Sequence, residues 1–389
     1  MALVASGTAG AQAIIIVFSP ILTRIYGPEA FGLLGTFTAI VAVATPAAAM
    51  AYPIAIVLPR DDRDALGLAR LSAILSFAVA VLATGALWLA GDSLSAALDT
   101  EPVSAFLYLI PVAMLFAAWT QIAQQWLIRK KEFSVIARSA VAHSLILNSA
   151  KSGIGWLNPV ASVLIILATF GHCLYAALLF FGARRRYQRG VTQYNNSQRT
   201  PLTELARRYH DFPLYRTPQN LINAASQSLP ILLLAAFFGS VAAGFYVLGK
   251  MVMGMPSALV GNAVSDVFYP RITEANHNGE DITPHIARAT GALLVIGILP
   301  FGIVFLFGPW LFSLIFGSDW VIAGEYGRWL AIFFFFNFIN RPSVAAVPVL
   351  GIQRGLLVYE LFSTGGKAIA FLVGFYWFRS DIWAIALFS

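Results

Sequence analysis

Long apolar runs alternate with short polar stretches along the whole chain. Eleven runs reach the roughly 20 residues that a helix needs to cross the hydrocarbon core of a bilayer. They lie at about 3–22, 31–57, 68–90, 104–127, 134–156, 158–182, 217–238, 241–266, 287–308, 321–347 and 353–377, and a shorter run, "DIWAIALFS", fills 381–389. The pattern predicts an all-α polytopic membrane protein of about 12 transmembrane helices. The fifth run is the most interrupted, by Arg138, His143, Asn148 and Lys151. The sequence stops inside the twelfth run, so the last helix is expected to be truncated. The opening "MALVASGTAGAQAIIIVFSPIL" carries no basic residue before its apolar stretch and reads as a first span rather than a cleaved signal.

Composition agrees with the pattern. The chain is 59% hydrophobic and 11% charged, against about 25% charged residues in ordinary soluble domains. So few charges cannot cover a soluble surface of this size. The net charge of +7 therefore points to membrane surfaces rather than nucleic acid. With the N-terminus in the cytoplasm, 18 of the 25 lysines and arginines fall in or beside cytoplasmic loops and three (Arg24, Lys151, Arg379) on the other side. This is the asymmetry that orients membrane proteins. Cys173 is the single cysteine, so no internal disulfide forms.

The one real linker is 183–216, "ARRRYQRGVTQYNNSQRTPLTELARRYHDFPLYR". It separates an N-terminal six-helix lobe, 1–182, from a C-terminal lobe, 217–389. Thr200-Pro201 can start a short helix, with proline at its first position. That helix would set Arg207 and Arg208 against anionic headgroups, or simply be part of a solvated connector. A faint repeat relates the halves. Gln12, "YGPEAFGLLG", Pro46 and Tyr52-Pro53 in the first are echoed by Gln227, "FFGSVAAGFYVLG", Pro256 and Tyr269-Pro270 in the second. Two six-helix bundles around a central cavity are expected, as in many transporters.

Polar residues inside the spans are costly and mark function or bracing, since a charge at the bilayer centre costs about 2.5–3.5 kcal/mol on insertion scales. Lys250 lies about ten residues into the eighth run and is followed at helical spacing by Gly254, Ser257, Gly261 and Ser265. That face suits a cavity wall, or close packing around a lysine paired with a buried carboxylate. Glu360, Thr364 and Lys367 share a face of the eleventh run, and Gln219, Asn223 and Gln227 form a stripe on the seventh. Glu325 and Arg328 are spaced to pair with each other. Arg341 precedes Pro342, which should bend the tenth span. Gln121, Gln124 and Gln125 suit hydrogen bonding between helices. The deep charges of the second half are mainly cationic, so an anionic substrate is expected.

Several chemistries find no support. No phosphate-binding G-x-x-x-x-G-K-[ST], G-x-S-x-G, H-E-x-x-H or C-x-x-C occurs. The D-x-D inside "DDRD" at 61–64 sits in a short loop with no soluble domain to hold a sugar nucleotide. No metal, cofactor or catalytic residue is expected, and the chain reads as a transporter rather than an enzyme.

Four stretches carry a family resemblance: "SPILTRIYGPEAFGLLGTF" at 19–37, "YPIAIVLPRDDRDALGLARLS" at 52–72, the long segment from Leu205 to Ala275 that contains "FYVLGKMVMGMPSAL", and "FGPWLFSLIFGSDWVIAGEYGRWLA" at 307–331. The chain resembles the polysaccharide transporter branch of the multidrug/oligosaccharidyl-lipid/polysaccharide exporter superfamily, the flippases of lipopolysaccharide O-antigen and exopolysaccharide synthesis. It departs at Pro53, where the family pattern often has glutamate. The resemblance implies alternating-access transfer of a polyprenyl-pyrophosphate-linked oligosaccharide (an O-antigen, capsule or exopolysaccharide unit) across the bacterial inner membrane. On that reading Lys250, Lys367 and Arg341 face the pyrophosphate, Arg24 is a periplasmic-side contact, Gln219, Asn223 and Gln227 meet sugar hydroxyls, and Glu360 couples transport to a proton or sodium ion. Expected partners are that glycan, membrane lipids and other polysaccharide assembly proteins, with no nucleic acid; a monomer is expected. A lipid II flippase of peptidoglycan synthesis and a multidrug exporter on the same fold are the alternatives.

Overall fold

In hydrocarbon every backbone amide must find its partner within its own segment, so the apolar runs have little choice but to be helices. The computed structural model describes residues 2–97, 106–187, 200–257, 268, 271–272, 274–275, 278–350 and 353–389. Gly261, Ser265 and the Tyr269-Pro270 pair lie outside the described residues. The first half contains α1 (Ala2–Ile25), α2 (Pro28–Ala48), a single turn α3 (Tyr52–Ala55), α4 (Asp62–Ala97), α5 (Leu109–Arg129), α6 (Phe133–Leu157) and α7 (Ala161–Tyr187). The linker contributes α8 (Leu202–Arg208) and a wide turn over Phe212–Arg216. The second half contains α9 (Thr217–Pro256), α10 (Thr283–Phe316), α11 (Val321–Ile339), α12 (Arg341–Leu350), α13 (Gln353–Val373) and α14 (Asp381–Phe388).

The chain is an all-α polytopic membrane protein. Among the described residues six helices are long and apolar enough to cross a membrane, or seven if the bent pair Ser318–Ile339 and Arg341–Val347 is one span. One of the six, Phe212–Pro256, runs for 45 residues and holds the seventh expected span and residues 241–256 of the eighth. Gly239 divides it, at φ 85° and ψ 175°. That backbone region is open essentially to glycine alone and costs about 1–3 kcal/mol for other residues. Gly239→Ala is therefore expected to destabilise the protein by about 1–3 kcal/mol, read as a lowered unfolding midpoint in detergent. Within the runs at 104–127, 134–156 and 353–377 the chain forms α5, α6 and α13.

One boundary differs from the sequence reading. The run at 31–57 ends as a helix at Ala48, and the chain turns through Met50 (φ 49°) and Ala51 (φ 56°) before α3. Pro53 sits at the start of α3, where its missing N–H costs nothing; continued into α2, it would have cost a helical hydrogen bond.

The chain divides into two compact units. The first comprises 1–26 and 33–236, the second 27–32 and 237–389. In the first, α1 and α6 meet through small residues, which let backbones approach in lipid. A side chain at Gly7 would strike Ala137, and Tyr26 covers Gly155. Ser144 Oγ donates to Ala11 O at 3.0 Å, and the Tyr26 hydroxyl donates to Lys151 O at 2.9 Å. Gln124 donates to the Tyr175 hydroxyl at 3.1 Å, the interhelical role expected of that glutamine. The linker helix forms at the expected place, with Pro201 as its N-cap. Arg208, however, is engaged by Asp64 and Glu204 rather than left for headgroups; Arg207 is exposed.

In the second unit, α10 and α11 pack backbone to backbone, with Gly308 and Gly324 each occupying space a side chain would need. Residues 27–32 pack on α9 in the same manner, Gly32 on Ser240 and Gly244 on Pro28. The two stretches aligned by the internal repeat thus touch each other. The Phe31 ring meets Trp320 edge-on at 5.2 Å.

Candidate functional site

The second unit holds the three cations the sequence singled out, and α11 is the neighbour they share. Lys250 is half-buried on α9. Gly249 beside it packs on Leu330, Ala323 and Gly327 of α11, so the lysine emerges next to a close helix–helix contact. One turn earlier, buried Tyr246 places its ring 6.0 Å from Lys250 Nζ. Gly254 has nothing within 4 Å of where a Cβ would lie, whereas Ser257 is buried. The face below Lys250 is therefore open at one position and packed at the next.

Lys367 lies on α13 with its Nζ 4.5 Å from the ring of Phe333 (α11) and 5.7 Å from that of Phe388 (α14). A cation over aromatic faces gains about 0.5–2 kcal/mol, the larger values when desolvated. The aromatic rings stabilise the charge without neutralising it. Among the described residues no carboxylate lies within ion-pair distance of Lys367 or Arg341.

Arg341 opens α12 immediately after the helix break. The two segments of the tenth span meet at 46°, which is the bend Pro342 implies. Arg341 Nε is buried, with no hydrogen-bond partner among the described residues. A buried donor left unsatisfied costs about 1–3 kcal/mol, so this atom is poised to gain from an acceptor. From the level of Gly327 to the break at Asn340, α11 rises about 20 Å at 1.5 Å per residue. The cations are therefore strung along one helix rather than gathered at one point.

The polar stripe of the seventh span belongs to the first unit. Gln219, Asn223 and Gln227 are all exposed. Gln227 donates to Asn223 Oδ1 at 2.7 Å, and Arg216 donates to Gln219 Oε1 at 3.2 Å. The stripe is thus a row of exposed amides, two of which are joined by their own hydrogen bond. Arg24 is exposed in the last turn of α1. Glu360 is on α13, but its side chain lies outside the described residues. Glu325 and Arg328 pair at 3.2 Å as their spacing implies, and Arg328 Nε also donates to Phe305 O at 2.9 Å.

Two arrangements were not visible in the sequence. The Tyr326 hydroxyl, on a fully buried side chain, donates to Asp381 Oδ2 at 2.6 Å and ties α11 to the start of α14. No local spacing signals a pair 55 residues apart. Tyr326→Phe is expected to lower stability by about 1.5 kcal/mol, the typical lower value for a hydrogen bond to a charged group, measured as a shift in thermal unfolding. The other is a contact between half-buried side chains in the first unit, where His143 stacks on Tyr175 with centroids 4.9 Å apart.

An all-α membrane fold with cations spread along the helices of one unit defines a class before it defines a protein. Solved structures place that class among the MATE and MOP transporter folds. A MATE mutant aligns with a TM-score of 0.59 and 16% identity over 100% of this chain and 91% of that one. MATE in its bent conformation aligns at 0.58 and 15%, covering 98% and 89%. A MOP superfamily transporter from Pyrococcus furiosus, for which a reversed polarity of the binding pocket has been taken to suggest a different function, aligns at 0.58 and 15%, covering 99% and 91%. The protein belongs to the polysaccharide biosynthesis protein family, whose model matches residues 21–324. No curated protein sequence matches the chain.

Proposed function

We propose that this protein is a flippase that moves a polyprenyl-pyrophosphate-linked oligosaccharide across the bacterial inner membrane by alternating access. Membership of the polysaccharide biosynthesis family and a transporter fold support the class. The observation that carries the substrate assignment is the charge of the second unit's helices: Lys250 half-buried, Lys367 held over aromatic rings, and Arg341 with an unsatisfied buried Nε.

The physical problem such a protein solves is desolvation. Moving one bare ion into low dielectric costs on the order of 20 kcal/mol by Born arithmetic, and each unpaired sugar hydroxyl adds to that. A wet passage with fixed cations removes most of both costs while the prenyl tail stays in lipid. Lys250, Lys367 and Arg341, spaced along α11, would hand the pyrophosphate from one to the next. The Gln219, Asn223 and Gln227 amides would exchange hydrogen bonds with sugar hydroxyls, and Arg24 would receive the head on the periplasmic side. Glu360 would carry the coupling proton or sodium ion. No covalent step is involved.

The competing reading is a multidrug exporter, which the MATE-like fold favours. A cationic drug would meet like charge at Lys250 and Arg341, and this favours the anionic lipid. Proteoliposomes decide between them. Purified protein is expected to accelerate flipping of a fluorescent polyprenyl-pyrophosphate oligosaccharide and to leave cationic dyes where they are. Dye transport without lipid flipping would overturn the assignment. Faster flipping of lipid II than of other lipid-linked glycans would move it to peptidoglycan synthesis.

A further inference from the structure

We infer that Asp64 positions the linker joining the two halves of the sequence, so that the acidic stretch at 61–64 is a docking motif. The helix α8 has only seven residues, far below the roughly 12–15 at which an isolated helix becomes even marginally stable in water. Its order must come from what it packs on. Leu205 is fully buried, in a nest of Tyr52, Ala55, Ile56, Ala65 and Leu68. Gly67 makes the seat, because a Cβ there would lie 2.4 Å from Leu205 Cδ1. The Tyr52 hydroxyl donates to Ala206 O at 3.1 Å.

Asp64 then holds both ends of the helix with one carboxylate. Thr200 Oγ1, just before it, donates to Oδ1 at 2.7 Å, and Arg208, its last residue, donates to Oδ2 at 3.2 Å. Asp62, two residues earlier, is engaged from the other side by Arg129 Nε at 2.9 Å and by Lys130. Arg129 also donates to the carbonyls of Ile56 and Pro59, at 3.3 and 2.6 Å. The two acids of the D-x-D therefore serve different clients. Both lie in the first turn of α4 rather than in the loop the sequence suggested: Asp62 fastens the start of α4 to the end of α5, and Asp64 fastens the linker to the start of α4. Every charge involved comes from the chain itself, which is why a motif reminiscent of a metal site has no need of one.

The consequence is that α8 travels with the first unit and delivers the chain toward α9, which begins at Thr217, from a fixed point. This stands apart from the transport reading and is tested without a transport assay. In the purified full-length protein, tryptic cleavage after Arg207 is followed by mass spectrometry and referenced to cleavage in the arginine-rich stretch 184–189. Asp64→Ala is expected to speed cleavage after Arg207 about fivefold or more, the factor a loss of one kcal/mol produces, and Asp64→Glu is expected to leave it near the wild-type rate. If cleavage instead rises throughout the spans, Asp64→Ala has unfolded the protein. The Thr200→Val/Arg208→Gln double variant, which removes the same two contacts and leaves Asp64 in place, then gives the answer by the same readout. Cleavage after Arg207 at the wild-type rate in the double variant, or in a folded Asp64→Ala, would overturn the inference.

Discussion

Cells in which Lys250 is replaced by alanine are expected to lose surface polysaccharide export by about 10- to 100-fold at unchanged protein abundance. The estimate follows from one charge-assisted contact to a phosphate, worth about 1.5–3 kcal/mol, at 1.4 kcal/mol per tenfold. Lys250→Met keeps most of the side-chain volume and removes the charge, so it should fail as alanine does. Lys250→Arg retains charge but presents a planar fork instead of a point charge, and partial export is expected. The measurement is polysaccharide at the surface of a deletion strain carrying each variant, with the membrane-embedded protein quantified alongside. If the methionine variant exports normally, Lys250 is a packing residue whose charge is incidental.

The largest loss of stability is expected at Gly32. A Cβ there would lie 1.7 Å from Ser240 O and 2.9 Å from Gly244 N. Both neighbours are backbone, so no rotamer change relieves the clash. The reciprocal contact is as tight, since a Cβ on Gly244 would lie 1.9 Å from Pro28 O. Overpacking commonly costs 1–3 kcal/mol and sometimes more; with backbone on both sides, Gly32→Ala should cost about 3 kcal/mol or more. Reduced membrane yield and a lowered unfolding midpoint are the expected signs. A Gly32→Ala protein with wild-type yield and midpoint would mean that residues 27–32 do not pack on α9 as described.

The helices were legible in the sequence because lipid leaves a backbone few options. An apolar run of sufficient length becomes a helix whatever its neighbours, and even α5 and α6, carrying glutamines, a histidine and a lysine, follow the rule. The Pro342 bend and the Glu325–Arg328 pair were legible for a similar reason, being consequences of chemistry within a few residues. The turn at Met50–Ala51 was not, because its two positive-φ residues are not glycines; Pro53 marks a break nearby but not where the chain turns. The docking of α8 was hidden as well. Leu205 looks like any linker leucine until Tyr52 and Leu68 surround it, and an aspartate's choice between a headgroup, a metal and Arg208 depends on what the fold brings near. Among the candidate site residues, the sequence identified which side chains are costly in a membrane. It gave no sign that Phe333 and Phe388 would attend Lys367, or that Arg341 would keep a buried nitrogen unpaired.

Transport of this kind requires the phosphate to meet the half-buried cations. A cryo-electron microscopy structure of the protein with a polyprenyl-pyrophosphate-linked sugar tests this directly. The pyrophosphate is expected within about 3 Å of Lys250 Nζ or of the Arg341 or Lys367 head groups, the distance of a charge-assisted hydrogen bond, with the prenyl chain in lipid. Bound lipid whose pyrophosphate avoids all three, with Lys250 turned toward acyl chains, would contradict it.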